Sequence, residues 1–228
     1  TLGVRVTVVE YLPRMLPLED EEVSKAMERS FRKLRAAVLT STTVKGVKIT
    51  PEGMCEVEIE GRKGPETLVA EKVLSAVGIQ ANIEGIGLEE LGVAVERGKV
   101  TVDPYYRTSV PGIYAIGDIV PGPALAHVAS AEGICCVEAI CGLNPDPVDY
   151  TTVPSCVFTQ PEVASVGMTE QEARERGIEY KVGRFPFTAS GKATAAGDRD
   201  GFVKLLFDAD ERLLGAHLVG ASVTELLA

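Results

Sequence analysis

The run from Val4 to Val9 limits the folds open to this chain more than any other feature. It is rich in β-branched residues and ends in Glu10. A near-continuous apolar strand of this kind is typical of a parallel sheet that is covered on both faces. A parallel strand needs a neighbour that arrives through a crossover, usually a helix. An α/β fold is therefore predicted for the first part of the chain.

Hydrophobic periodicity predicts the elements that follow this strand. Residues 19–34 have apolar side chains at helical spacing, with acids in the first turn and bases toward the end, and this pattern favours a helix. Strands are predicted over residues 38–49, 54–59, 69–77, 100–102 and 113–116, and a second helix over residues 125–140.

The pattern changes after a Pro-rich linker at residues 142–147. Five candidate strands follow, with one helix that has Thr169 as its N-cap and Glu172 three residues later, which is a capping box. Successive strands with few helices indicate an antiparallel sheet in an α+β domain. Four basic residues scattered among these strands are predicted to lie on solvated faces: Arg184, Lys192, Arg199 and Lys204.

Composition restricts the function classes. The chain has 33 Asp and Glu against 23 Lys and Arg, a net charge of −10, whereas a nucleic-acid-binding surface needs a basic patch. No run approaches 18 consecutive apolar residues, so no transmembrane helix is predicted. Five Cys and two His indicate neither a secreted disulfide scaffold nor a metal site. A cytoplasmic protein with reduced thiols is expected.

Cys136 and Cys141 have the spacing of some redox-active disulfides, but the stretch that they bound is a helical run. Side chains five residues apart on a helix point about 140° from each other, and the rise between them is about 7.5 Å. This separation is beyond comfortable disulfide geometry. We therefore interpret both residues as small packed side chains.

Glu10 is the first candidate binding residue because it closes a buried strand. In dinucleotide-binding βαβ units an acid at this place accepts a hydrogen bond from the adenosine ribose 2′-OH, and it repels the 2′-phosphate of NADP. The alternative is an ordinary solvated strand-end Glu. The glycine fingerprint that would favour the nucleotide site does not occur in this chain.

Asp118 follows an apolar run, and ligands of open α/β sheets bind at the carboxyl ends of strands. A turn or N-cap role is the alternative. The helix that begins near Leu125, Ala126 and His127 has outward-pointing first-turn amides that could face an anionic or carbonyl-rich ring edge. His127 alone is more often a structural or surface residue, so no proton transfer is assigned to it.

Four longer motifs carry a family resemblance. Residues 108–118 (TSVPGIYAIGD) resemble the second FAD motif of the flavoprotein disulfide reductases. Within that group, residues 122–127 (GPALAH), 153–163 (VPSCVFTQPEV) and 180–187 (YKVGRFPF) resemble the dihydrolipoamide dehydrogenase family. The resemblance runs over essentially the whole chain.

The resemblance implies a homodimeric enzyme that oxidises dihydrolipoyl groups and passes the electrons through a disulfide and FAD to NAD. Its partners would be the lipoyl domains of 2-oxo acid dehydrogenase or glycine cleavage complexes. It implies that Glu10 contacts the NAD ribose, that Val44 and Gly78 line the NAD site, and that Asp118 binds the FAD ribityl chain. The backbone near the flavin ring would come from Ala124, Leu125, Ala126 and His127.

The resemblance also implies a division of the chain. Residues 1–78 would be the C-terminal part of an NAD-binding domain, 79–149 the closing segment of an FAD-binding domain, and 150–228 an interface domain without its C-terminus. The expected fold is thus α/β, with partial dinucleotide-binding (Rossmann-like) domains and a C-terminal α+β domain with an antiparallel sheet. The family often has Gly-Arg-x-Pro-Asn where this chain has residues 78–82 (GIQAN), so a contact by that Arg is not expected.

Both ends are expected to be truncated. Ser222 and Glu225 form a capping-box pattern three residues before the chain stops. The redox Cys pair, the NAD glycine loop and the acid–base His and Glu of the family would then lie outside these residues. No catalytic residue is therefore predicted here, and the chain alone is expected to be inactive and to retain FAD weakly.

Two alternatives stay open. The first is another flavoprotein disulfide reductase, of the mercuric or glutathione type, because the substrate-defining residues of these enzymes lie mostly in other segments. The second is a non-catalytic dimerisation or binding module.

Overall fold

The computed structural model describes residues 3–227. The chain divides into two compact units, one made of residues 1–74 and 154–228 and the other of residues 75–153. The domain boundaries expected from the sequence stay a prediction.

The chain begins with a βαβ unit: β1 (Thr7–Val9), α1 (Glu21–Lys33) and β2 (Ala37–Leu39). β1 and β2 pair in parallel, as the apolar run predicts. The expectation that this strand is fully buried is wrong, because Val4 and Val6 are 69% and 48% exposed. The physical reason is that, among the described residues, β2 is the one strand paired with β1.

A three-stranded antiparallel meander follows: β3 (Thr43–Ile49), β4 (Cys55–Gly61) and β5 (Gly64–Ala70). The strand predicted over residues 69–77 is mostly wrong, because β5 begins at Gly64 and ends at Ala70. The register pairs Ala70 with Cys55, where β4 begins, so no strand of the described residues pairs with the chain beyond that point. Val73, Leu74 and Val77 are consequently irregular and exposed.

The second unit contains α2 (Leu88–Leu91), β6 (Val95–Glu96), β7 (Lys99–Val100) and α3 (Ala126–Ile140). The helix predicted over residues 125–140 is confirmed. The strand predicted over residues 113–116 is wrong, because this segment forms one isolated bridge, between Tyr114 and Arg107. Its apolar residues serve a core made of Val93, Val100, Ala115 and Val120 rather than a sheet.

The remaining elements return to the first unit: β8 (Ser155–Val157), β9 (Glu162–Gly167), α4 (Glu170–Glu175), β10 (Lys181–Pro186), α5 (Gly191–Ala196), β11 (Phe202–Phe207) and β12 (Leu213–Gly220). The five strands form an antiparallel sheet in the order β10-β11-β12-β9-β8. The predicted α+β character and the capping box of Thr169 and Glu172 are both confirmed.

The capping box predicted at Ser222 is wrong. Ser222 has a φ of +56° and makes no capping hydrogen bond, and the residues after it form a 3₁₀ turn. The backbone N–H and the hydroxyl of Thr224 donate instead to Oε2 of Glu162, at 3.3 and 2.7 Å. A contact between distant residues therefore replaces the local pattern.

α1 covers one face of the antiparallel sheet. Val23 and Met27 on this helix pack with Val163, Phe202 and Val219 in a buried cluster. The apolar stripe that predicts the helix is therefore the stripe that attaches the βαβ unit to β9, β11 and β12.

Lys204 is buried, which corrects the prediction of a solvated face. It is 1% exposed, and its Nζ donates to both carboxylate oxygens of Asp20, at 2.9 and 3.0 Å, and to Glu170 at 2.5 Å. Asp20 is the N-cap of α1 and also accepts from the backbone N–H groups of Glu22 and Glu170. One carboxylate thus joins α1, α4 and β11.

The pKa values of this cluster follow from its contacts. Burial alone would raise the pKa of Asp20, but the hydrogen bonds from Lys204 and from backbone N–H groups outweigh it and hold that pKa below its usual value. Burial alone would lower the pKa of Lys204, yet its bonds to Asp20 and Glu170 raise it. All three groups are therefore charged near neutral pH.

The polar face extends across the sheet. The register places Lys204 beside His217, His217 beside Ser165, and Ser165 beside Ser155. Nε2 of His217 lies 3.0 Å from the carbonyl oxygen of Met168. Of the segment before α1, Glu19 is buried beside Ser165 and His217 of this row, whereas Met15 and Leu16 pack against the apolar cluster of Val23 and Met27.

Replacing Lys204 by Met should destabilise the first unit by about 3–5 kcal/mol, because two carboxylates then lose their buried cation. The difference from the unmodified chain should shrink as the pH falls through the lowered pKa values of Asp20 and Glu170, since protonated carboxyls need no cation. Urea unfolding at several pH values measures both effects.

Lys181→Met is the matched control, because Lys181 is exposed on β10 of the same sheet. It should change the free energy of unfolding by no more than about 0.5 kcal/mol. Equal effects of the two substitutions at neutral pH would contradict the role of Lys204.

Candidate functional site

Glu10 lies at the carboxyl end of β1, as predicted. Its backbone N–H donates to Leu39 at 2.8 Å and its carbonyl accepts from Thr42 at 3.0 Å. Oε1 accepts from the backbone N–H of Leu12 at 2.7 Å, which orients the half-exposed carboxylate. Within the described part of the chain, Oε2 has no hydrogen-bond donor and is free to accept from a ligand hydroxyl.

Val44 lies at the start of β3, two residues after Thr42, whose backbone N–H donates to the carbonyl of Glu10. Val44 pairs opposite Ile59 and is 46% exposed. Gly78 belongs to the second unit, where it lies in an exposed irregular segment with a φ of +112°. The contribution of Val44 and Gly78 to a common NAD site stays a prediction.

Asp118 is the central residue of a 3₁₀ turn, Gly117–Ile119, rather than the residue after a strand. Its side chain is exposed, and its carbonyl oxygen accepts a hydrogen bond from the ammonium group of Lys99. The turn is closed by the N–H of Val120, which donates to Gly117 at 3.0 Å. The carboxylate is therefore presented on a closed turn.

The N-terminus of α3 has no side-chain cap, because its N-cap is Leu125 in an extended conformation. The amides of residues 126–128 have no intrahelical acceptor, as at every helix start. Ala124, Ala126 and His127 are exposed. This arrangement leaves the N–H groups and the positive end of the helix dipole available to an electron-rich ligand.

Glu132 is a buried residue beside these predicted site residues that the sequence analysis missed. It is 1% exposed, Oε2 accepts from the backbone N–H of Gly117 at 2.6 Å, and Oε1 accepts from the hydroxyl of Tyr150 at 2.7 Å. The Tyr150 hydroxyl lies 3.1 Å from that of Tyr106. The available signal was two acidic residues, Glu132 and Glu138, on a helix of mostly small and apolar side chains.

This contact brings Asp118 and α3 together. Gly117 has a φ of +76°, and a Cβ there would lie 3.4 Å from Cβ of Ala129 on α3. Glu132 therefore attaches the turn that carries Asp118 to the helix whose first turn is uncapped. The structure thus places the turn of Asp118 against α3, the helix that begins directly after Ala124 and Leu125.

The cysteines are free thiols. Cys136 is buried on α3, as interpreted, but Cys141 is exposed at the C-cap of the helix, so its interpretation as a packed side chain is wrong. Burial raises the pKa of both Cys135 and Cys136. Within residues 3–227, no group of three or more His, Cys, Asp or Glu side chains is placed to hold a metal ion. No helix in the described part of the chain is long and apolar enough to cross a membrane.

Comparison with known families decides the class of protein. Residues 1–133 match the family described as "Pyridine nucleotide-disulphide oxidoreductase", and residues 153–228 match its dimerisation domain. The chain belongs to the pyridine nucleotide-disulphide oxidoreductase family. The resemblance to flavoprotein disulfide reductases and the expected fold class are thereby confirmed.

Individual relatives agree with this assignment. The chain is 46% identical to a dihydrolipoyl dehydrogenase of Bacillus subtilis (strain 168) and 48% identical to one of Chlorobaculum tepidum, in each case over 99% of this chain and 48% of the relative. The chain thus spans about half the length of these curated relatives.

Solved structures show the same similarity. The crystal structure of LpdA from Mycobacterium tuberculosis matches with a TM-score of 0.88 and 30% identity, over 99% of this chain and 49% of that one. The HOCl-induced flavoprotein disulfide reductase RclA from Escherichia coli matches with a TM-score of 0.88 and 26% identity, over 99% and 51%.

Asp118→Ala in the whole protein should weaken FAD binding about 10- to 100-fold, the effect of losing one hydrogen bond to a charged group. Because the side chain is exposed, the stability of the flavin-free protein should change little. Asp146→Ala, which removes an exposed carboxylate elsewhere in the second unit, should leave FAD affinity unchanged. Flavin fluorescence titration measures both, and equal affinities in the two variants would contradict the assignment of Asp118.

Proposed function

We propose that the whole protein to which this chain belongs is a dihydrolipoyl dehydrogenase. It oxidises protein-bound dihydrolipoamide to lipoamide and reduces NAD, with FAD and a redox disulfide as carriers. The observation that carries the proposal is the Asp118 turn, which Glu132 holds beside the uncapped start of α3. The named relatives support the choice of substrate.

The residues present fit FAD. When bound, FAD accepts two electrons from the dithiol side and delivers them to the nicotinamide. The exposed carboxylate of Asp118 accepts hydrogen bonds from polyol hydroxyls. The backbone N–H groups at Ala126 and His127 donate to a carbonyl or anionic ring edge without competition from a side-chain cap.

The residues present also fit the adenosine ribose of NAD. Oε1 of Glu10 is engaged by the N–H of Leu12, so the carboxylate has a fixed orientation before any ligand arrives. The same negative charge repels a 2′-phosphate and favours NAD over NADP. Val44 and Gly78 would complete this site.

This chain contributes binding and association rather than bond-breaking groups in the proposal. Residues 1–78 belong to the NAD domain, 79–149 to the FAD domain and 150–228 to the interface domain, through which two copies form a homodimer, and the last range includes the matched dimerisation region. The partners are lipoyl domains of 2-oxo acid dehydrogenase or glycine cleavage complexes. The odd number of cysteines favours a reducing cytoplasm.

The purified whole protein should show flavin absorbance and should reduce NAD when dihydrolipoamide is the electron donor. Glutathione disulfide and Hg(II), each tested as acceptors with NADH and NADPH, are the comparison substrates. Turnover with glutathione disulfide or Hg(II), and not with dihydrolipoamide, would contradict the proposal and would indicate a glutathione-type or mercuric reductase. Protein without flavin and without any of these activities would support a non-catalytic module instead.

Glu10→Gln should change the nucleotide preference of that enzyme. Gln can still accept from the N–H of Leu12, so the local fold is retained, but the repulsion of a 2′-phosphate is lost. We expect kcat/KM for NADP to rise relative to that for NAD by about tenfold or more, which corresponds to about 1.4 kcal/mol. The rates of dihydrolipoamide oxidation with each nucleotide measure this ratio.

Glu56→Gln is the matched control, since Glu56 is an exposed acid on β4 of the same unit. Its ratio should equal that of the unmodified enzyme. A Glu10→Gln ratio that does not differ from the control would show that Glu10 does not face the ribose.

A further inference from the structure

The carboxylate of Glu132 is compensated in an unusual way. It is 1% exposed, and burying an unpaired carboxylate is costly. Among the described residues it forms no ion pair, and its two oxygens accept from neutral donors at 2.6 and 2.7 Å. Hydrogen bonds to a charged acceptor are short and strong. The negative charge therefore depends on the N–H of Gly117 and the hydroxyl of Tyr150.

The two donors come from segments on either side of the proposed flavin residues. Gly117 directly precedes Asp118, and its N–H direction sets the orientation of the 3₁₀ turn. Gly122 approaches the same pair, since a Cβ there would lie 3.2 Å from the ring of Tyr150 and 3.7 Å from Oε1 of Glu132. Gly117 and Gly122, the two ends of this segment, therefore both lie against the contact between Glu132 and Tyr150.

Tyr150 is itself fixed on its far side. Its hydroxyl contacts that of Tyr106, which is 3% exposed, and it begins a 3₁₀ turn that Asp149 caps through Thr151. Burial and then the bonds to Tyr106 and Glu132 raise the pKa of Tyr150. Its hydroxyl is consequently protonated near neutral pH and can donate.

We propose that Glu132 is a positioning residue of the flavin site, locked by Tyr150. It couples the turn that carries Asp118 to the first turn of α3, so that both reach the ligand in one fixed arrangement. This inference rests on the proposed binding of FAD by these residues. Glu132 acts through Gly117 and does not itself contact the flavin.

Three variants distinguish the hydrogen bonds of Glu132, which position the turn, from its negative charge. Glu132→Gln keeps an acceptor for Gly117, and its NH₂ group can donate to Tyr150, whose own hydroxyl then donates to Tyr106. Glu132→Ala leaves the N–H of Gly117 and the hydroxyl of Tyr150 without a buried partner. Tyr150→Phe removes one donor and keeps the ring that fills the space beside Gly122.

The whole protein is examined by flavin fluorescence titration and, after removal of flavin, by hydrogen exchange of a peptide containing Gly117. Glu132→Ala should weaken FAD binding about 10- to 100-fold and accelerate exchange at Gly117. Glu132→Gln should restore both to within about threefold, and Tyr150→Phe should fall between. Glu138→Gln on the same helix, which makes no hydrogen bond to the turn, should match the unmodified protein.

Normal FAD affinity in Glu132→Ala, or the same loss in Glu132→Gln as in Glu132→Ala, would overturn the proposal. If Glu132→Ala does not fold, then the Glu132→Gln and Tyr150→Phe results decide, because a Tyr150→Phe variant with unchanged affinity and exchange excludes the lock. An unmodified protein that binds no FAD would instead refute the proposed function. The exchange of Gly117 in flavin-free protein would then still report whether Glu132 holds the turn.

Discussion

The ion pair between Lys204 and Asp20 is the contact on which the first unit depends. It joins residues 184 positions apart and is almost completely buried. Because Asp20 also caps α1 and accepts from the backbone of α4, the same carboxylate sets the start of one helix and the position of a second. The parallel βαβ unit is thereby attached to the antiparallel dimerisation sheet.

The second unit also has a buried carboxylate, but there no cation pairs with it among the described residues. Glu132 is buried on α3, and its carboxylate accepts hydrogen bonds from a backbone N–H and a tyrosine hydroxyl. The hydrogen bonds to Glu132 fix the orientation of the N–H and O–H groups that donate to it. The ammonium group of a buried lysine, in contrast, is a compact charge whose three donors can rotate. Directionality suits a site in which a turn and a helix start must face one ligand, and this is the arrangement proposed for FAD.

The sequence predicts elements whose stabilisation is local and misses contacts between distant residues. The α1 and α3 helices and the Thr169 capping box follow from periodicity and caps, and the structure contains all three. The sequence predicts Lys204 on a solvated face because its partner Asp20 is 184 positions away and no local pattern indicates their contact. Ser222 fails as a cap because Glu162 holds Thr224. Glu132 has no motif of its own, since its partners are a backbone N–H and a distant tyrosine.

The most direct measurement is a crystal structure of the whole protein grown with FAD and NAD. The account predicts that the carboxylate of Asp118 accepts from the ribityl hydroxyls, that the amides of residues 126–128 face the flavin ring, and that Glu10 accepts from the adenosine ribose. Flavin bound elsewhere, or a ribose whose hydroxyls are held by residues other than Glu10, would contradict it.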